Sequence, residues 1–375
     1  MGLIHLLGVA ASVLALAGAA YALLTTFFVA RHARQDEGAS GAPPAVTLLK
    51  PLHGDEPQLA ENLESFFVQD YAAPVQFVFG VADGNDKVLA VVERLRARYP
   101  AADVAVVVDP RRRGINAKVS NLANMMIAAR HDVLVASDSD IWVPRDYLKR
   151  VTAALTKPGV GAVSCLYTGA AATGFASRLT AMGISYQFLP NAITGILLGL
   201  AKPCFGSTIA LRRATLDAIG GFETCAGKLA DDYAIGHAVR ALGLALAIPP
   251  FAVRHSCAEP SLGAWFIHEL RWARTTRAIN PAGHAGSIIT HPIPLAVIGA
   301  ILTGFTLFSL VALGAGVATR AVLKGRIDRI FGAPAGPFWL LPLRDVLSFA
   351  VFPVSLFGRE VEWQGERFEV GAVKS

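Results

Sequence analysis

Cysteine is scarce in this 375-residue chain: there are four, Cys165, Cys204, Cys225 and Cys257, with no C-x-x-C spacing. That scatter argues against a zinc site or a disulfide framework and suits a reducing compartment. Charge is scarce too, at 17% against 53% hydrophobic residues, with a mean hydropathy of +0.47. Ordinary soluble domains are richer in charge, so a membrane protein is the first expectation. There is no G-x-G-x-x-G or Walker A loop, which speaks against a Rossmann dehydrogenase or a P-loop NTPase. No Gly-x-Ser-x-Gly elbow supports a serine hydrolase, and the nine histidines include no H-x-x-x-H pair. The net charge of +6 and pI of 9.2 would suit nucleic acid, but no aromatic-interleaved basic stripe accompanies them, and anionic lipid is the better partner.

What is present is apolar at both ends. From Leu3 to Val29 there is no Asp, Glu, Lys or Arg, and as a helix the run would reach about 40 Å, enough to cross a bilayer. It is longer than a signal-peptide core, has no basic residue before it and has Arg31, His32 and Arg34 after it. An uncleaved anchor over 1–32 is expected, with the following domain on the cytoplasmic side. A polar, Gly/Pro-rich linker (33–44) follows. Near the other end, Ile293–Ala318 reads as one long apolar run, and Phe338–Phe357 is interrupted by Arg344 and Asp345. That pair is expected to face protein, whether the segment spans or lies in the interface. Arg320, Lys324, Arg326 and Arg329 should stay cytoplasmic, which a single crossing by 293–318 would contradict and a short hairpin would allow.

Between the ends, "VTLLK", "VQFVFGV", "DVAVVV" and "DVLVAS" alternate with helical stretches starting near Glu56, Lys87 and Asn116. The alternation predicts an α/β domain with a parallel sheet over 45–260. Such sheets bind ligands at the carboxyl ends of their strands. Acids sit at two of those ends: Asp83 and Asp86 after "VQFVFGV", Asp138 and Asp140 after "DVLVAS". Burying an ionised carboxylate is costly unless it is paired or metal-bound. Helix capping explains Asp138 and Asp140 poorly, because Pro144 is expected to open the next helix and the cap would fall at Val143. A D-x-D at a strand end instead suits a nucleotide diphosphate shared with Mg²⁺ or Mn²⁺, hard ions that take oxygen ligands.

Three further constellations have equally plain structural readings. Asp231 and Asp232 in "LADDYAIGHAVRALG" would favourably open a helix, or one of them could serve as a general base with a raised pKa. Lys118 falls in a first helical turn, where the dipole disfavours it, so it is either a solvated surface lysine or a partner for an anion. "WFIHELRWARTTRAI" puts His268, Arg271 and Trp272 on one helical face and continues with Arg274 and Arg277. By composition it is an interfacial amphipathic region, taken as 261–292. The segments 293–358 are then the C-terminal membrane part and 359–375 a cytoplasmic tail. His255 is a further possible metal ligand.

In this order, KPLHGDEP, ADGND, GINAKVSNL, SDSD, ADDY and HELRW resemble the membrane-bound glycosyltransferases of the ceramide glucosyltransferase type. The likeness is closest to the bacterial hopanoid-biosynthesis members and reaches the final "VEWQGERFEV". The resemblance implies a GT-A fold, nucleotide-sugar-binding and Rossmann-like, flanked by membrane segments. It also implies a nucleotide-sugar donor, a divalent cation (Mg²⁺ or Mn²⁺) and transfer with inversion onto a lipid hydroxyl. By the same likeness Asp83 is the uridine-binding acid, Asp138 and Asp140 the metal and diphosphate pair, and Asp232 the general base. By the dipole argument an anionic diphosphate would be the partner of Lys118, and by the likeness Arg271 and Trp272 end the family's (Q/R)-x-x-R-W motif. His268 departs from that motif and, with so few membrane segments, disfavours a processive synthase. The implied reaction is a single transfer of N-acetylglucosamine from UDP-GlcNAc to bacteriohopanetetrol at the bacterial inner membrane. A ceramide glucosyltransferase using UDP-glucose is the alternative within the class, and a non-catalytic membrane scaffold the alternative outside it.

Overall fold

The computed structural model describes residues 2–36, 41–358, 360–363 and 366–369, so the expected linker and tail lie partly outside the described residues. The strands are β1 (Val46–Pro51), β2 (Val75–Val81), β3 (Asp103–Val108), β4 (Val133–Ala136), β5 (Ile141–Trp142), β6 (Val160–Ser164), β7 (Leu166–Ala171), β8 (Ile209–Arg212), β9 (Ala245–Ala247), β10 (Ala252–Cys257), β11 (Glu360–Trp363) and β12 (Glu366–Glu369). The helices are α1 (Leu3–His32), α2 (Leu59–Phe67), α3 (Val88–Arg98), α4 (Ala117–Met125), α5 (Tyr147–Leu155), α6 (Phe175–Gly183), α7 (Leu189–Leu197), α8 (Arg213–Ala218), α9 (Asp231–Ala241), α10 (Leu262–Ile279), α11 (Pro281–Gly286), α12 (Pro292–Thr303), α13 (Leu307–Phe331) and α14 (Leu341–Ser355). They form two compact units. One comprises Gln35–Tyr167 and Lys202–Ser256, the other Met1–Arg34, Thr168–Ala201 and Cys257–Ser375. The α/β unit is therefore discontinuous, where an unbroken 45–260 was expected.

The α/β unit is built on a seven-stranded sheet in the order β3-β2-β1-β4-β8-β6-β9. Its first four strands are the four apolar runs read from the sequence, all parallel. The sheet is mixed and not all-parallel, because β8 runs antiparallel to both β4 and β6. On one face Leu49, Val78 and Leu134 pack against Val119 and Leu122 of α4 and Ile235 and Val239 of α9. On the other, Phe67 stacks on Phe77 with ring centroids 4.2 Å apart.

Local polar chemistry decides where helices begin. Asn116 caps α4, its side-chain oxygen accepting from Val119 N at 3.1 Å. The helix expected to open at Pro144 opens at Tyr147, because Gln69 reaches in from α2's end. Gln69 Nε2 donates to Pro144 O at 2.9 Å, and its Oε1 accepts from Leu148 N at 3.0 Å. A remote side chain thus does the capping.

In the second unit α1 lies along α12 and α13. Close approach is allowed by a small residue on each side, since a Cβ on Gly299 would overlap the hydroxyl of Ser12. The expected single run 293–318 is two helices, broken where Gly304 and Phe305 both take left-handed backbone (φ 67° and 59°). Among the described residues, three helices are long and apolar enough to cross a membrane: Leu3–His32, Leu307–Phe331 and Phe338–Ser355. Pro281–Thr290 and Pro292–Thr303 form a further pair bent by 64°.

The charged pair in α14 faces protein, as expected. Asp345 accepts from Arg320 Nε and Nη2 of α13, both at 2.7 Å. Arg344 donates to Leu179 O at 2.8 Å and to the Glu269 carboxylate of α10 at 3.0 Å. Arg320 also reaches Tyr186 O at 2.7 Å, within a π-helical turn at Ile184–Phe188. Arg320 and Lys324 are both buried, Arg320 against Asp345 and Lys324 against Asp328.

Candidate active site

Strand β4 ends at Ala136, and the chain turns through Ser137 into Asp138 and Asp140. Lys118, in the first turn of α4, closes on Asp138 at 2.6 Å and lies 3.6 Å from Asp231. The anion partner that the dipole argument demanded for Lys118 is thus found within the protein. Burial alone would lower the ammonium's pKa, but Asp138 and Asp231 outweigh it and hold the group protonated well above its usual range.

The adjacent acids at the start of α9 point differently. Asp231 is buried and held by Asn116 Nδ2 at 3.4 Å. Asp232 instead accepts from Gly206 N at 3.0 Å and from Tyr233 N at 2.7 Å. Burial pushes the Asp232 carboxyl up and the neighbouring Asp231 charge adds to that. Lys118 and the two amides oppose them, leaving it at about 6.

Gly206 marks where these groups meet. A Cβ built there would lie 2.9 Å from Lys118 Nζ, 3.1 Å from Asp138 Oδ2 and 3.7 Å from Asp232 Oδ2. Side chains from α4, the β4 end and α9 thus face one point. The substitution Gly206→Ala should push Lys118 and Asp138 apart. A drop in turnover of about tenfold or more with an unshifted melting temperature is expected, since misplacing a positioned group by about 1 Å costs on the order of 10²-fold.

Asp140 belongs to the same turn but faces His255, whose Nε2 lies 3.1 Å from Oδ2. Burial would raise the Asp140 carboxyl, yet the His255 charge and hydrogen bond bring it below its usual value. Its other oxygen, Oδ1, is buried with no hydrogen-bond partner. An orphaned carboxylate oxygen beside a second carboxylate fits a hard divalent cation. Among the described residues, no group of three or more His, Cys, Asp or Glu side chains could hold a metal by itself. Such a cation would take Asp138 and Asp140 from the chain and its remaining oxygens from a ligand and water, the usual arrangement for Mg²⁺ with phosphates.

Two supports lie beneath the turn that the sequence did not single out. Lys50, at the end of β1, is buried over the Phe66 ring and donates to Asp138 O at 2.7 Å and Ser137 Oγ at 3.2 Å. Burial lowers its pKa to about 7. Glu56 is pushed up to about 7 by burial and then by Asp140. Both fall in the quoted KPLHGDEP, but nothing in the apolar pattern of β1 marks Lys50 as reaching under a loop almost ninety residues away. Gly206 carried no signal at all, because its neighbours are supplied by three distant segments.

Asp83 follows β2, on the same sheet rim as the end of β4. Its Oδ1 accepts from Asn85 N at 2.9 Å in an exposed turn. Arg271 and Trp272 belong to the other compact unit, on α10, where the Trp272 ring meets His268 at 4.9 Å and Phe188 at 5.7 Å.

The model of glycosyl transferase family 21 matches residues 10–375. Ceramide glucosyltransferase 1 of Caenorhabditis elegans is 25% identical over 239 residues, 64% of this chain and 51% of that protein. An N-acetylglucosaminyltransferase of Sinorhizobium fredii is 26% identical over 250 residues, 63% of this chain and 58% of that protein. The chain thus spans little more than half the length of these relatives. Among solved structures, a mannosyltransferase from Pyrobaculum calidifontis in complex with GDP-mannose and Mn²⁺ superposes with a TM-score of 0.54 at 21% identity, covering 95% of this chain and 99% of that one. That likeness identifies the fold as GT-A, in agreement with the mixed sheet and its acidic rim.

Proposed function

The chain belongs to glycosyl transferase family 21, and from that premise we propose that it moves a single sugar, with inversion, from a UDP-sugar onto a hydroxyl of a membrane lipid. The donor is UDP-GlcNAc and the acceptor a hopanoid polyol, bacteriohopanetetrol, at the cytoplasmic face of a bacterial inner membrane. The observation that carries the reading is the convergence of Asp138, Lys118 and Asp232 around Gly206. The sugar and lipid rest on the motif resemblance to hopanoid-biosynthesis glycosyltransferases.

In this reading the roles follow from charge and position. Asp232 takes the proton of the attacking hydroxyl, a task that suits a carboxylate with a pKa near the working pH. Asp231 is committed to Asn116 and Lys118 and serves to place them. Lys118 offsets negative charge on the departing diphosphate, together with Arg271. Asp83 holds the uridine, and Trp272 lines the acceptor side. Asp138 and Asp140 hold Mg²⁺ or Mn²⁺, which when bound neutralises diphosphate charge. The apolar helices keep the acceptor beside the site, replacing a three-dimensional search by local capture.

The test is a substrate matrix. Purified protein is incubated with UDP-GlcNAc or UDP-glucose and with bacteriohopanetetrol or ceramide, and lipid products are read by mass spectrometry. A product with UDP-GlcNAc and the hopanoid is expected. Product only with UDP-glucose and ceramide would replace both substrates, and no product with any pair would leave the scaffold reading.

A further inference from the structure

None of the roles above uses the stretch "VEWQGERFEV". It overlaps β11 and β12, which pair antiparallel from Glu360 opposite Glu369 to Trp363 opposite Glu366. Two half-buried arginines of α10 tie the head of this hairpin down. Arg274 Nη1 donates to Glu360 O at 2.8 Å, and Arg277 Nη2 donates to Gly358 O. Both acceptors are main-chain carbonyls just past the last residue of α14, Ser355. The end of a helix carries unpaired carbonyls and the negative pole of its dipole, so cations are favoured there. Gly358 is fitted to the contact. Its backbone is left-handed (φ 76°), a conformation that favours glycine, and a Cβ there would lie 2.8 Å from Arg274 Nη2.

Helix α10 is thereby fastened along α14 at two places. Near the start of α14, Arg344 donates to the Glu269 carboxylate; beyond its end, the carbonyls of 358 and 360 receive Arg277 and Arg274. Arg271 and Trp272 lie on α10 between these ties. A helix pinned at one place can still roll about its axis, and one pinned at two cannot. At the about 5–6 Å from the axis that side chains reach, a roll of about 10° moves a group by about 1 Å. We propose that Arg274 and Arg277 are positioning residues: by binding the chain at 358 and 360 they fix the roll of α10 and so aim Arg271 at the donor diphosphate. The inference rests on the role given to Arg271 in the transferase reading.

A double-mutant cycle on the full chain separates this role from a structural one, with UDP binding in the presence of Mn²⁺ read by calorimetry. Arg271→Met should weaken UDP about 10–100-fold, as for a lost hydrogen bond to a charged group. Arg274→Met should weaken it about fivefold in the wild-type background and by less than about twofold in the Arg271→Met background, because nothing is left for the tie to aim. Arg274→Lys, which can still offer an N–H to Glu360 O, should stay within about twofold of wild type. Gly358→Ala strains the same contact from the other side and should reproduce the loss, so it carries the cycle if Arg274→Met fails to fold. Equal factors in both backgrounds would make the tie merely structural and overturn the proposal. So would a lowered melting temperature with UDP affinity unchanged. Wild type that binds no UDP, or an Arg271→Met variant that binds it normally, would sink the donor role of Arg271 first and the proposal with it; those controls tell the two failures apart.

Discussion

Replacing Asp232 by Asn is expected to lower kcat about 10²–10⁴-fold, the range for removing a positioned general base, while UDP binding by calorimetry survives. The pH profile makes the same point. An ordinary Asp titrates near about 3.9, but burial and Asp231 bring Asp232 to about 6. Because the base must be ionised to accept a proton, wild-type kcat/KM should fall as pH drops through about 6, and the residual Asn activity should lack that limb. The stability effect has the opposite sign. A carboxyl whose folded-state pKa lies above its unfolded value loses stability on ionising, over the window from about 4 to about 6 and fully above it. The Asn variant should therefore melt at the same temperature as wild type or slightly higher at neutral pH. A variant that loses activity by unfolding would contradict the assigned role, as would one that keeps both activity and the acidic limb.

Loss of the cation should be nearly as severe. Chelation by EDTA is expected to abolish transfer and Mn²⁺ or Mg²⁺ to restore it. Asp140→Asn should lower kcat/KM about 10³-fold, in line with the several kcal/mol a bound cation supplies to a charged transition state. Asp140 is the informative partner because one of its oxygens already pairs with His255 and the other has no partner. Were its task only to hold His255, the Asn variant would still bind Mn²⁺ in the presence of UDP, as read by the free-ion signal in electron paramagnetic resonance. Were it a ligand, that signal would stay at the level of free Mn²⁺. His255→Ala serves as the control that breaks the pair and leaves both carboxylates in place.

Strands β1 to β4 were legible because each is an apolar run bounded by polar turns, and the acidic rim was legible because Asp83, Asp138 and Asp140 follow such runs directly. The direction of β8 was not, since a four-residue strand carries no periodic signal and its sense is set by pairing between β4 and β6. Pro144 misled about α5 because its cap comes from Gln69, far away in sequence. The apolar stretch 293–318 looked continuous because hydropathy does not register a left-handed turn at Gly304 and Phe305. Within the site, the residue types that announce chemistry were visible. Lys50 and Gly206 were not, because a lysine under a loop and a glycine between three side chains are meaningful only once the chain has folded.

The ion pairs of α14 bear on how the chain is put together during synthesis. Arg344 and Asp345 are each matched to a charge made earlier in the chain, on α10 and α13. A lone Arg or Asp at the centre of a helix costs about 2.5–3.5 kcal/mol on entering a bilayer, so this last helix is poorly suited to enter alone. Pairing Arg344 with Glu269 and Asp345 with Arg320 would offset that cost. Until Asp345 is made, Arg320 has the oxygens of Tyr186 and Gln187 to donate to but no carboxylate to balance its charge.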